Sequence, residues 1–124
     1  MTKKLKSKCT TECSQKPELE ERTLISIEQA LGLTTVFKVL ANDTRLRLLH
    51  ALIREGELCV NELSRVVDMK PQAVSNQLQK LVDRDIVSFK RNGNKIYYRI
   101  VDRCVMNLLD RGLCLMEDTK ARDR

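Results

Sequence analysis

The sequence predicts a mainly α-helical chain with a small β-hairpin. Three observations carry that prediction. Apolar residues recur every three or four positions through most of the chain, the spacing of one helix face. A single stretch, IVSFKR–NGN–KIYYRI at residues 86–100, is instead rich in β-branched and aromatic residues around a turn. Between these patterns, two short helical segments meet at DMKP, residues 68–71.

Taken in order, residues 1–17 (MTKKLKSKCTTECSQKP) are polar, lack periodicity and end at Pro17, which reads as a flexible N-terminal arm. Residues 18–124 form the domain. PELEERT opens a helix, with Glu18, Glu20 and Glu21 at its positive dipole end. Apolar residues follow at Leu24, Ile27 and Leu31, then at Val36, Phe37 and Leu40, with Gly32 marking a break or kink between two helices. At AND, Asn42 or Asp43 caps the next helix, whose inner stripe is Leu46, Leu49, Leu52 and Ile53 and whose end is Gly56. His50, the only histidine, reads as a surface or interhelical residue.

A short helix over about residues 59–68 buries Leu63, Val66 and Val67, with Cys59 at its entrance. Pro71 suits the first position of a second helix over about residues 71–84, with Val74, Leu78, Leu81 and Val82 inward. Asn92-Gly93-Asn94 tolerates the positive φ of a hairpin turn. A last helix from Asp102 carries Val105, Leu108, Leu109, Leu113 and Met116 on one side. Two short helices with a tight turn suit a helix-turn-helix, and the hairpin beside it is the wing.

Composition narrows the function. A chain of 124 residues fits one domain, and its four aromatic residues (Phe37, Phe89, Tyr97, Tyr98) leave the core to Leu, Val and Ile. Small helical chains of this kind often complete a core by dimerising. The net charge is +6, and residues 70–99 hold seven basic groups against two acidic ones. That concentration is the footprint of a polyanion, usually nucleic acid. No run of ~18 apolar residues suits a membrane span, and the N-terminus lacks the apolar core of an export signal. The expected compartment is the cytosol, where the five cysteines stay reduced. The C-x3-C of Cys9 and Cys13 is not the C-x-x-C of a thiol reductase, and no Gly-rich phosphate loop or nucleophile elbow is present, so no enzyme is expected. A metal carrier would have no use for a basic recognition helix.

In a helix-turn-helix the second helix enters the major groove. Here it offers Gln72, Ser75, Asn76, Gln77 and Gln79, side chains that pair with base edges. Lys70, Lys80 and Arg84 stand nearer phosphates, and the wing tip Lys90, Arg91, Asn92, Asn94 and Lys95 reaches a flanking groove or backbone. The expected partner is double-stranded operator DNA.

LANDTRLRLL, the ELCV box, AVSNQLQKL and NGNKIYYRI together resemble the ArsR/SmtB family of bacterial metal-responsive repressors, over about residues 33–102 motif by motif. The resemblance implies a winged-helix homodimer joined through its first and last helices, which leaves its operator when a metal binds. It also implies two places for the metal. In the cadmium- and lead-sensing branch, paired arm cysteines meet the ELCV cysteine of the other subunit. Cys9, Cys13 and Cys59 match, but Asn61 replaces that branch's second box cysteine, leaving three sulfurs. Three thiolates suit Pb(II) or As(III); Cd(II) or Zn(II) would need a fourth ligand. Zinc sensors of the family use D-x-H followed by H-x2-E on the last helix. This chain has Asp102-x-Cys104 and Cys114-x2-Glu117, closer by one residue, which turns Cys114 about 80° from the face of Cys104. That set is the second choice, and it needs two helices brought together across a dimer. Buried cysteine also serves as a small core residue, and thiol oxidation or persulfidation is the alternative switch.

Overall fold

A computed structural model describes residues 16–122. After a 3-10 turn at Leu19–Glu21 come α1 (Ile27–Leu40), α2 (Asp43–Glu55), β1 (Leu58–Cys59), α3 (Val60–Val67), α4 (Pro71–Asp83), β2 (Val87–Asn92), β3 (Lys95–Ile100) and α5 (Arg103–Arg122). This is a mostly helical winged helix-turn-helix, as the hydrophobic patterning predicts.

The N-terminal helix departs from the expectation at both of its landmarks. PELEERT makes only the 3-10 turn, and α1 starts at Ile27 because Ser26 caps it. Gln29 N–H donates to Ser26 Oγ at 3.1 Å, and Ser26 N–H donates to Gln29 Oε1 at 2.9 Å. Leu24 is left outside the helix, 93% exposed. Gly32 does not break α1, which runs through it. A glycine inside a helix costs about 1 kcal/mol relative to alanine, and that alone does not end a helix with a full capping box.

Asn42 is the cap of α2, its Oδ1 accepting from Arg45 N–H at 3.0 Å, and Gly56 ends the helix at φ 89°. The buried row is Arg45, Leu48, Leu49 and Leu52, with Leu46 turned outward. Leu49 and Leu52 are buried as expected and Ile53 packs against the core, while Arg45 and Leu48 take the place expected of Leu46.

The turn between α3 and α4 is held locally. Asp68 adopts the left-handed conformation at φ 56°, Met69 N–H donates to Ser64 O at 3.1 Å, and the Ser64 hydroxyl donates to the Met69 carbonyl. Pro71 then opens α4 with its φ already set. In α3, Leu63 and Val67 are buried, but Val66 is half exposed.

The wing is a three-stranded antiparallel sheet in the order β1-β3-β2, one strand more than a hairpin. β2 and β3 pair from Val87↔Ile100 to Asn92↔Lys95 around Gly93-Asn94. Gly93 alone takes the positive φ, 69°, as the first residue of a two-residue II′-type loop requires. β1 adds Leu58↔Tyr98 and Cys59↔Tyr97, which ties the entrance of α3 to the wing. On the hairpin face, Phe89 and Tyr98 meet at 5.9 Å between ring centroids.

The core joins α2, α3, α4 and the sheet. Leu48, Leu49, Leu52, Leu63, Val74, Leu78, Leu81, Val87 and Ile100 are almost wholly buried, each contributing roughly 1.5–3 kcal/mol of hydrophobic stabilisation. Among the described residues, α1 and α5 bury Leu40 and Val105 in it and pack Val39 and Leu109 against its edge. Most of their other large apolar residues, including Ile27, Leu31, Phe37, Leu108, Leu113 and Met116, stay exposed. Among the described residues, no helix is long and apolar enough to cross a membrane.

Candidate nucleic-acid interface and thiol positions

α4 stands outward on a rigid base. Val74, Leu78 and Leu81 fix one face in the core. The opposite face carries Gln72, Asn76, Gln79 and Lys80, all exposed, with Ser75 half buried among them. The first turn of α4 holds no acidic residue, so the positive end of its dipole, beside Lys70, is left for an external anion. Within the face, Gln72 Nε2 donates to Asn76 Oδ1 at 3.0 Å, and Gln79 Nε2 donates to Asp83 Oδ1 at 2.8 Å. The first pair lies in the N-terminal half that a recognition helix pushes deepest into the groove.

Gln77 sits differently. It is half buried, and its Oε1 accepts from an Arg45 Nη at 2.8 Å. Sequence alone places Gln77 with the base readers and gives no sign of Arg45. No local signal marks that pair, whose members lie 32 residues apart. Lys38 is a second residue that the sequence does not single out. With Thr35, Val39, Lys80, Asp83 and Arg84 it lines an open cleft of about 590 Å³ between α1 and α4.

In the wing, Lys90, Arg91, Asn92, Asn94 and Lys95 are all exposed at or beside the turn. Their cations and those of α4 lie on neighbouring elements, as a duplex backbone requires.

The thiols are spread out. Cys59 is 5% exposed and caps α3. Its N–H donates to Glu62 Oε1 at 2.9 Å, closing a capping box between the two residues. That backbone bond, a second bond from the Cys59 side chain and, to a lesser degree, the positive charges of Lys95 and Arg65 hold the Glu62 carboxyl below its usual range. Cys104 is half buried and Cys114 exposed, both on α5. Ten residues of helix separate them by about 15 Å, too far for one ion. Asp102 is occupied at the start of α5, its Oδ1 accepting from Cys104 N–H at 2.8 Å. Cys114 Sγ lies 3.7 Å from Asp118 Oδ2, and Glu117 is exposed. Among the described residues, no three His, Cys, Asp or Glu side chains converge as a metal site. Cys9 and Cys13 lie outside the described residues. A soft ion needing three thiolates therefore requires a second chain, the N-terminal segment, or both.

The family model described as "Bacterial regulatory protein, arsR family" matches residues 42–88, from the cap of α2 into β2. The crystal structure of the AntR antimony-specific transcriptional repressor is 59% identical and superposes with a TM-score of 0.75, covering 88% of this chain and 98% of that one. The chain belongs to the ArsR family. A curated ArsR-family relative, the transcriptional repressor SmtB homolog of Synechocystis sp., is 40% identical over 68% of this chain and 64% of its own length. Mb0332 of Mycobacterium bovis, a homodimeric winged helix-turn-helix DNA-binding domain, is 28% identical with a TM-score of 0.68, covering 82% of this chain and 95% of that one. This ArsR-family chain is accordingly a DNA-binding regulator and not an enzyme. Its family match spans the helix-turn-helix and ends at the start of β2, while most of the wing, α1 and α5, the last two of which carry the apolar surface and two of the thiols, lie outside it.

Proposed function

We propose that this protein is a cytosolic repressor that binds operator DNA as a homodimer and lets go when a thiophilic ion binds its cysteines. Trivalent antimony or arsenic is the first choice of inducer. The observation that carries the reading is the 59% identity to an antimony-specific repressor over 88% of the chain. The chemistry agrees: reduced thiolates take soft trivalent ions in threes.

Dimerisation follows from the exposed apolar side chains of α1 and α5. They border a groove of about 440 Å³ lined by Phe37, Leu40, Leu46, Leu108, Leu109, Leu113 and Met116. A second copy covering it would place two α5 helices, and so four thiols, side by side. Accessibility favours these thiols as the first to meet an ion. Cys114 is exposed and Cys104 half buried on α5, while Cys59 is buried inside a capping box. Metal at Cys59, with Cys9 and Cys13, would have to open the start of α3, and that is the rival arrangement. In either case the ion acts only by binding the DNA-free shape better than the DNA-bound one.

The test is a titration of the reduced protein on the DNA upstream of its gene, with Sb(III), As(III), Cd(II), Pb(II) and Zn(II) in parallel. It is repeated for Cys104→Ser, Cys114→Ser, Cys59→Ser and Cys9→Ser. Release by Sb(III) or As(III) at the lowest concentration, lost in Cys104→Ser and Cys114→Ser, is the expected result. Full response in those two and none in Cys59→Ser moves the site to the start of α3. Release by peroxide or polysulfide alone, with no thiolate-to-metal absorption band, overturns the metal reading.

A further inference from the structure

Among the described residues, Arg45 is the only charged side chain that the core takes in. The oxygens it bonds are neutral. Arg45 Nε donates to the Val39 carbonyl at 2.6 Å, and one Nη donates to Gln77 Oε1 at 2.8 Å. Val39 is in the last turn of α1 and Gln77 is in the middle of α4. One planar fork, mounted at the start of α2, therefore joins the helix of the apolar face to the helix that reads DNA. A buried guanidinium is tolerated only when its protons are satisfied, so both acceptors are held in place by the cost of leaving it bare.

We propose that Gln77 does not read a base: with Arg45 it forms a strut that sets the rotation of α4 about its own axis. The bond from Arg45 turns the half-buried amide toward α2, and pairing with adenine needs its donor and acceptor presented together to the groove. Gln77 lies about 100° round the helix from Asn76 and about 140° from Gln72. Holding Gln77 against α2 therefore turns Gln72 and Asn76 away from the body and toward a groove. Loss of the strut lets α4 roll, which blurs base contacts and leaves phosphate contacts nearly unchanged. The inference rests on α4 being the DNA-reading helix and is independent of which ion, if any, is the inducer.

The experiment measures Kd for upstream promoter DNA and for random DNA of equal length, over a range of salt, with unfolding midpoints alongside. In Gln77→Leu the promoter preference falls by about tenfold, the scale of one well-made hydrogen bond to a charged group. The salt slope, which counts phosphate contacts, stays unchanged. Arg45→Met gives the same loss, and the double variant is no worse than either single one, as members of one unit behave. Gln77→Glu keeps an acceptor for Arg45 and retains the promoter preference within about threefold, the rescue that a strut predicts. If Gln77→Glu loses preference as fully as Gln77→Leu, with relaxed choice at one base pair, Gln77 is a reader and the inference is wrong. If Arg45→Met fails to fold, the two Gln77 variants still decide. Promoter preference untouched in Gln77→Leu removes this inference alone; no preference in the unaltered protein removes the DNA-reading assignment with it.

Discussion

The two halves of this molecule are finished to different degrees. The reading half, α2 to β3, closes its own core. Leu48, Leu63, Val74, Leu78 and Leu81 are fully buried, and its turns are capped by local bonds. The other half, α1 and α5, leaves most of its large apolar side chains facing solvent. Ile27 is 82% exposed and Leu115 63%. The difference teaches where control can act. A reading head with most of its core closed keeps its internal packing when the other half rearranges, and its main polar tie to that half is the bond from Arg45 to the Val39 carbonyl. A half with an exposed apolar face would take its geometry from what covers it, and in the proposed dimer an ion bound there would change the angle between two heads without unfolding either.

The largest expected effect tests that division directly. Leu78→Ala empties a fully buried site and should lower unfolding free energy by about 2–5 kcal/mol, at every protein concentration. Leu113→Ala, at a side chain 46% exposed, should cost the fold of one chain less than about 1 kcal/mol. Its effect shows instead as weaker self-association in sedimentation. Equal, concentration-independent losses in the two variants would show that α5 belongs to the same closed core, and the comparison would fail.

These halves are not equally legible in the sequence. The reading half announces itself through local chemistry: Asn42 as a cap, Pro71 at the first helical position, and a turn glycine at Gly93. Such signals act within four residues and survive any tertiary context. Around α1 the local pattern misleads. The acidic PELEERT segment is exposed throughout and buries nothing among the described residues, and exposed Gly32 costs too little to break a capped helix. β1 has two residues and exists only because Leu58 and Cys59 meet Tyr98 and Tyr97, about forty positions away. No periodicity is detectable in two residues. Nothing in the sequence singles out Arg45, and only the folded positions of Gln77 and the Val39 carbonyl hold it in the core. The thiols remain the part least determined by one chain, because no three ligands converge among the described residues.

A middle-sized effect separates affinity from reading. Replacing Lys90 and Lys95 by alanine removes two exposed wing cations. For each phosphate that is no longer neutralised, the slope of log K against log salt should flatten by about 0.9. Binding should weaken on promoter and random DNA alike, and the unfolding midpoint should barely move. A selective weakening on promoter DNA would mean that the wing reads bases, and would shift part of the specificity away from α4.

The smallest effect lies inside the reading half, at the start of α3. Glu62 accepts from Cys59 N–H and its carboxyl is held below the ordinary value of 4.5, first by that bond. A group whose folded value is depressed stabilises the fold above its unfolded value, and loses that contribution as pH falls through the folded one. Glu62→Gln keeps an oxygen for the same N–H but has no charge to lose. The gap in stability between the two proteins should be fully present at neutral pH and shrink as the solution is taken below the ordinary carboxylate range, and denaturant unfolding at a series of pH values would follow it. A gap that grows on acidification would reverse the sign and show that the Glu62 charge is a burden rather than a cap. The same variant bears on the thiols. Because Glu62 and the pairing with Tyr97 together hold Cys59 in place, a weakened cap should raise modestly the rate at which a thiol reagent reaches Cys59, with Cys104 and Cys114 unchanged as internal references.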